Sequence, residues 1–335
     1  MQITLKRYTE MLGRIISSAA WARTTSLAQQ LLPVLLLLVI VVYFALMSDH
    51  FLTVMNGYNI VRQGSILLIV SLGATYVILI GGIDLSVGSI ATLTGIIVAF
   101  MVNDYGFGPW AFVFGAGVGA FIGLFTGILV AYMKIPSFLV TLGMLSMLVG
   151  IGNFMTKGSD ERVIDKSFRS VVTGTTVGEI PNLLWWALGV SAITLFIQKF
   201  TKFGRYAYVI GGAELVARTA GVPVSRFKVY VFVISGLTAG LAGAILTARV
   251  GAGGPGLGEA LMLQSITAIT IGGTALTGGV GGVHRTMLGV LLVTLLTNGL
   301  VLTRVDSFSR QIITGALLIV AVALSLDRKR LPVVK

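Results

Sequence analysis

Ten apolar runs of near-span length, at about 29–47, 64–82, 87–103, 110–133, 138–156, 181–198, 229–248, 263–283, 286–303 and 309–326, follow one another with only short polar breaks. This succession limits the fold more than any other feature. A helix needs roughly 20 mostly apolar residues to cross the hydrocarbon core of a bilayer. Lipid offers the backbone no hydrogen-bond partner, so a spanning chain must satisfy itself within helices or a closed barrel, and runs of this length select helices. Hydrophobic residues make up 56% of the chain and charged residues 11%, against about a quarter charged in a soluble domain, so much of the apolar surface must face lipid. The expected fold is all-α, a polytopic membrane protein of about ten transmembrane helices. Lys6, Arg7, Arg14 and Arg23 precede the first run with no small-residue cleavage site behind it, which reads as an uncleaved anchor.

A net charge of +12 suggests nucleic acid only if it is gathered on one soluble face, and here the basic residues are dispersed among spans and short loops. Orientation accounts for them better. With both termini inside, most of the 24 Lys and Arg fall on the cytoplasmic side, as the positive-inside rule asks. The expected organisation is a cytoplasmic segment 1–28, a membrane domain 29–326 and a cytoplasmic tail 327–335, N-in and C-in. There is no Cys, and His50 and His284 stand isolated, so neither a thiolate nor a histidine metal site suggests itself. No nucleophile–base set and no G-x-x-x-x-G-K-[ST] loop is present, which argues against an enzyme and leaves any uphill transport to an ion gradient or another subunit. Asp84 is the only ionisable group offered within the spans, and it lies near an inner end, which weighs against proton coupling.

Glycine placement adds detail. Gly119, Gly123 and Gly127 repeat at four-residue spacing, as do Gly236 and Gly240 with Ala239 and Gly243 among them, making small-residue stripes where helices approach closely. Spacing favours static packing over sliding surfaces. Between the second and third runs stands Gly81-Gly82-Ile83-Asp84-Leu85-Ser86-Val87-Gly88-Ser89, a break that membranes tolerate where backbone is buried in protein or lines a wet cavity. Asp84 there is either an N-cap accepting the amide of Ser86 or Val87 or part of a pathway lining, and one residue can do both. The pattern I-G-G-x-x-L-[ST]-x-G recurs with Ile80 matched to Ile271, so that Gly272, Gly273 and Thr274 correspond to Gly81, Gly82 and Ile83. An internal repeat of this kind points to a transport path; chance similarity in a chain of 43 glycines is the equal rival.

Three polar segments interrupt the apolar pattern. Residues 157–180 are mixed in charge and read as a solvated outer face, with docking of an external partner as the second reading. Gly251 to Glu259 reads as a mobile loop or turn. Lys199 to Lys228 is basic and cytoplasmic. Within it Ala213 to Ala220 reads as a two-turn helix, ended by Gly221 and Pro223, with Glu214 and Arg218 paired at i, i+4 and Leu215, Val216 and Val222 offering apolar contact. Two turns are marginal alone, so this helix needs the membrane body, lipid headgroups or a partner.

Gly204-Arg205-Tyr206, Gly211-Gly212-Ala213-Glu214-Leu215-Val216-Ala217-Arg218-Thr219-Ala220-Gly221-Val222, Ser235-Gly236-Leu237 and Gly272 to Gly279, together with Gly-Gly-Ile-Asp-Leu-Ser-Val-Gly at 81–88, resemble the permease subunits of bacterial ribose/galactose-type ABC importers over about residues 30 to 326. The resemblance implies a multi-pass protein of the bacterial inner membrane. It implies a homodimer of permeases, a cytoplasmic ATPase that carries the ATP and Mg, and a periplasmic sugar-binding protein, with no cofactor on this chain. It assigns ATPase coupling to the short helix between spans six and seven, here Ala213, Glu214, Leu215, Arg218, Gly221 and Val222. It suggests Gly81, Gly82, Asp84, Ser86, Gly272, Gly273 and Thr274 for the path or gate. The family often has Asn before the Glu and Ala-Ala after it; this chain has Ala213, Leu215 and Val216, so its fit to the ATPase is expected to differ. An ion-coupled secondary carrier of a small polar solute is the alternative.

Overall fold

The computed structural model describes residues 33–176 and 178–325; the expected cytoplasmic segment 1–28 and tail 327–335 lie outside them. The described chain is almost entirely helical, in the order α1 (Pro33–Met47), α2 (Val54–Leu79), α3 (Val87–Tyr105), α4 (Ala111–Ala131), α5 (Ser137–Thr156), α6 (Lys166–Thr173), α7 (Asn182–Phe200), α8 (Lys202–Gly212), α9 (Glu214–Thr219), α10 (Val224–Val250), α11 (Glu259–Ile271), α12 (Val283–Leu302) and α13 (Ser307–Ser325). Among the described residues seven helices are long and apolar enough to cross a membrane: α2, α3, α4 with the short turn before it, α5, α7, α10 and α12. Three shorter apolar helices, α1, α11 and α13, occupy the places of the expected first, eighth and tenth spans.

Boundaries move where polar residues find partners. The expected second span begins at 64, whereas α2 begins at Val54. Asn56, which lowers the hydropathy of that first turn, is buried and exchanges two 2.9 Å hydrogen bonds with Asn298 of α12. The expected span 263–283 is cut to Glu259–Ile271, because Gly272 and Gly273 end the helix and residues 272–282 run as turns and extended chain.

The core sits around α10, which packs on α2, α3 and α4. The two glycine stripes face each other: a Cβ on Gly119 would overlap the Gly236 carbonyl oxygen, and one on Gly123 that of Phe232. Such backbone-to-backbone contact lets helices close without a side-chain layer between them. The segment Gly251 to Glu259, expected to be a mobile loop or a turn, runs through turns and is pinned. Ala252–Gly253 (β2) pairs antiparallel with Glu161–Arg162 (β1), Gly253 packs on the Gly95 carbonyl, and the Gly258 amide donates to Thr92 Oγ1 at 3.0 Å. Glycine here serves close approach rather than freedom. The mixed-charge segment 157–180 holds β1 and α6, and Asp165 caps α6 through the amides of Ser167 and Phe168. The molecule thus has two ends: one carries α8 and α9, the other β1, β2 and α6.

Candidate functional site: two helix breaks beside a short external helix

α2 and α11 end in the same way. At α2 the Gly81 amide donates to Ile78 O and the Gly82 amide to Val77 O, both at 2.9 Å. At α11 the Gly273 amide donates to Thr270 O at 2.9 Å and the Thr274 amide to Ile269 O at 3.1 Å. This pair of bonds is the Schellman closure, and it demands a left-handed residue that glycine supplies at least cost: φ is +76° at Gly81 and +94° at Gly273. The geometric equivalence is therefore Gly81 with Gly273, one residue away from the match that the sequence pattern gives. The two breaks also meet. The Gly279 amide donates to Leu79 O at 2.9 Å, the Thr277 carbonyl lies against Gly81, and Gly211 of α8 leaves no room for a Cβ between Leu79 O and Gly279.

Beyond these shared ends the segments diverge. Past the turn at Ile80 and Gly81, residues 82–86 form an irregular segment held by α5 and α10: Ile83 N donates to Ser137 Oγ at 3.0 Å, and Asp84 meets α10. One Asp84 oxygen accepts from the Ser86 amide at 2.9 Å and the Ser86 hydroxyl at 2.6 Å; the other accepts from Ser235 Oγ at 2.8 Å. Asp84 is 5% exposed. The expected N-cap role holds in part. The Ser86 amide is bound, but Ser86 itself occupies the cap position with no capping bond from its hydroxyl, and half of the carboxylate is spent on α10. Residues 272–282 are held by α7, α8 and α12: Arg285 donates to Gly273 O at 3.0 Å, Thr274 Oγ1 accepts from Gly282 N at 3.0 Å, Tyr208 OH donates to Gly281 O at 2.7 Å, and Gln198 Oε1 accepts from Val283 N at 2.9 Å.

α9 stands beside the first break. It spans Glu214–Thr219, a residue shorter at each end than the expected helix, with Ala213 and Ala220 as its flanking residues and Gly221 at φ +79°. The predicted Glu214–Arg218 pair is present at 2.6 Å, and Lys228 of α10 adds a second bond to Glu214 at 2.8 Å. Partial burial raises the Glu214 pKa, but the hydrogen bonds and charges of Lys228 and Arg218 outweigh it and hold the carboxyl below its ordinary range. Ala217 is fully buried, while Leu215 and Val216 are 75% and 59% exposed. A cavity of about 500 Å³ lies between Gly81 to Ile83, Lys134, Phe232 and the Glu214, Arg218 and Lys228 cluster.

The model of the family described as branched-chain amino acid transport system / permease component matches residues 56–322. The chain is 36% identical over 293 residues to the ribose import permease protein RbsC of Haemophilus influenzae, covering 84% of this chain and 88% of that one. This chain belongs to the ABC-importer permeases. Identity is likewise 36% over 305 residues with the ribose import permease protein RbsC of Bacillus subtilis, covering 90% of this permease and 94% of that one. It is 33% over 298 residues with the fructose import permease protein FrcC of Rhizobium meliloti, covering 85% and 81%. No solved structure matches the permease. Among its described residues no group of three His, Cys, Asp or Glu stands placed to hold a metal.

Of the residues singled out in the sequence, Gly81, Gly82, Asp84 and Ser86 form one break, Gly272, Gly273 and Thr274 the other, and Ala213 to Val222 the external helix. Ser235, Lys228, Gln198 and Tyr208 were given no role. Ser235 stood in a motif and Lys228 closed the basic segment, but nothing local ties either to Asp84 or Glu214 beyond the helical face the two share at i, i+7.

Proposed function

We propose that the permease is the membrane subunit of an ATP-driven importer, taking a sugar, pentose or hexose, from a periplasmic binding protein and releasing it to the cytoplasm by alternating access. In this reading the α9 end faces the cytoplasm of a bacterium, N-in and C-in, and two copies pair in the inner membrane. ATP and Mg belong to a separate ATPase. The similarity to ribose and fructose import permeases supports the substrate class. The observation that carries the coupling role is α9: braced through Glu214 to Arg218 and Lys228, it presents Leu215 and Val216 outward. A helix of two turns is stable only with outside support, and an exposed apolar pair on a braced helix suits a rigid contact moved by the ATPase.

Movement of α9 passes to α10 through Lys228, and from α10 to the first break through Ser235 and Asp84, since one face of α10 carries both contacts. A lever of this kind works where the bundle has two discrete arrangements. The path or gate residues in this reading are Gly81, Gly82, Asp84, Ser86, Gly272, Gly273 and Thr274. The ion-coupled carrier is disfavoured because Asp84, the one buried carboxylate among the described residues, is saturated by hydroxyl and amide donors.

The test reconstitutes the permease with a candidate partner ATPase and a candidate periplasmic sugar-binding protein from the same organism. ATP-dependent sugar uptake is expected, with none from an ion gradient applied to the permease alone. Glu214→Arg and Gly221→Pro should abolish that uptake while membrane insertion persists, and normal uptake in both removes the coupling assignment.

A further inference from the structure

At the end opposite α9, a cavity of about 350 Å³ opens between α2, α10, α11, α12 and α13, lined among others by Gln63, Arg249, Gln264, Thr294, Thr297 and Arg310. Its polar groups are short of partners. Arg249 has one hydrogen bond among the described residues, from Nη1 to the Arg62 carbonyl at 3.1 Å, and the like charge of Arg62 acts on it. Arg310 donates from Nη2 to Ser307 Oγ at 2.7 Å, while its buried Nε has no partner. Thr294, which also lines the cavity, is 3% exposed, and its unpartnered hydroxyl lies toward Gly64 of α2. No carboxylate lines the cavity, and among the described residues the only ion pairs are those of Glu214.

Half-buried guanidinium groups beside a cavity with no counter-charge carry part of the cost of charge desolvation, and inside a membrane protein such groups mark ion or substrate sites. Arginine's fork of donors matches the oxyanion of a carboxylate or phosphate. The glutamine amides and threonine hydroxyls beside it suit a polyhydroxylated body. We propose that this cavity is a binding station for an oxyanion carried on a polyhydroxylated solute, so that the solute taken by the permease is an acidic sugar, a sugar carboxylate or sugar phosphate, rather than a neutral one. The inference rests on the import reading for its direction but not for its chemistry. An anionic lipid headgroup offers the same phosphate and is the other source of the ligand.

The permease in phosphatidylcholine nanodiscs is titrated with gluconate, glucose 6-phosphate and glucose, with binding read by thermal stabilisation and equilibrium dialysis. Saturable binding of an anionic probe is expected, with glucose at least about tenfold weaker, the scale of one charged hydrogen bond. Arg249→Gln and Arg310→Gln should each lower the affinity about tenfold or more. Gln264→Glu, which adds a carboxylate without removing volume, should lower it as well, and Arg310→Lys should keep most of it. Equal binding of glucose and gluconate, or affinities unchanged in the Arg→Gln and Gln264→Glu variants, overturns the proposal. So does saturation of the site by phosphatidylglycerol nanodiscs with no binding of the soluble anions, which gives the cavity to a lipid. None of these outcomes depends on the ATPase. Wild-type ATP-dependent uptake of a neutral sugar by the Arg→Gln variants likewise sinks the acidic-sugar assignment and leaves the import reading standing.

Discussion

The breaks after α2 and α11 share a backbone and differ in what they hold. Both end a helix by the same two hydrogen bonds around a left-handed glycine, Gly81 or Gly273, and they touch through Leu79 and Gly279. The first then runs back into the bundle and fastens to α10 through a carboxylate, Asp84 to Ser235. The second stays near the α9 end, where Gln198 and Tyr208 hold it through neutral bonds and the Arg285 guanidinium donates to the Gly273 carbonyl, with no buried carboxylate involved. A buried carboxylate that loses a donor is stranded at a cost well above that of a lost neutral bond. The first break is therefore the stiffer link to α10, the helix that α9 would move in the proposed coupling, and the second reads as an anchor.

The largest effect should come from breaking the meeting point itself. Gly211→Val places a side chain against the Leu79 carbonyl and the Gly279 amide, backbone that cannot step aside, and should destabilise by more than about 3 kcal/mol, seen as loss of monodisperse protein after detergent extraction. Ser235→Ala comes next. It leaves one Asp84 oxygen with no donor and should cost about 1–3 kcal/mol in thermal stability with a marked loss of uptake. Asp84→Asn keeps an acceptor for the Ser86 amide, so its fold should persist; full uptake in that variant would show that the charge is dispensable and reduce the first break to a cap. Thr274→Val, in the second break, removes one neutral bond from Gly282 and should cost about 1 kcal/mol. If it matches Ser235→Ala, the distinction between link and anchor fails.

The smallest effect is that of pH on α9. Glu214 has its carboxyl lowered from 4.5 in the folded protein, so its pairing contributes stability that is fully present above about pH 4.5 and drains away as the pH falls below that value through the folded pKa. Thermal stability of wild type should fall more steeply in that window than that of Glu214→Gln, which lacks the titrating group. Identical slopes would mean that the pairs with Arg218 and Lys228 leave α9 unbraced.

Much of this was legible in advance, for identifiable reasons. Helix ends written in glycine are local events, so Gly221 and the break at Gly81 read directly from the chain, whereas Gly272–Gly273 stood inside the expected span 263–283 and was marked only by its repeat of the Gly81–Gly82 pattern. So did the Glu214–Arg218 pair, whose geometry is fixed by helical spacing. The repeat was visible but one residue out of register, because the pattern matches Ile80 to Ile271 whereas the hydrogen bonds match Gly81 to Gly273. For Gly251 to Glu259 the sequence left a mobile loop and a turn open, and the structure has turns: glycine signals freedom when its neighbours are unknown and close packing once Gly95 and Thr92 are found against it.

Sequence by itself determined the class of fold, the approximate order of its apolar helices, the short helix α9 and the places where helices break, since each depends on hydrophobic run length or on one residue's backbone preference. Only the tertiary structure decided which break reaches α10, that Lys228 and not Arg218 alone holds Glu214, and that Arg249, Arg310 and Thr294 share one cavity. Those contacts join residues far apart in the chain, and their energies depend on burial and on the presence or absence of a partner, neither of which any local pattern records.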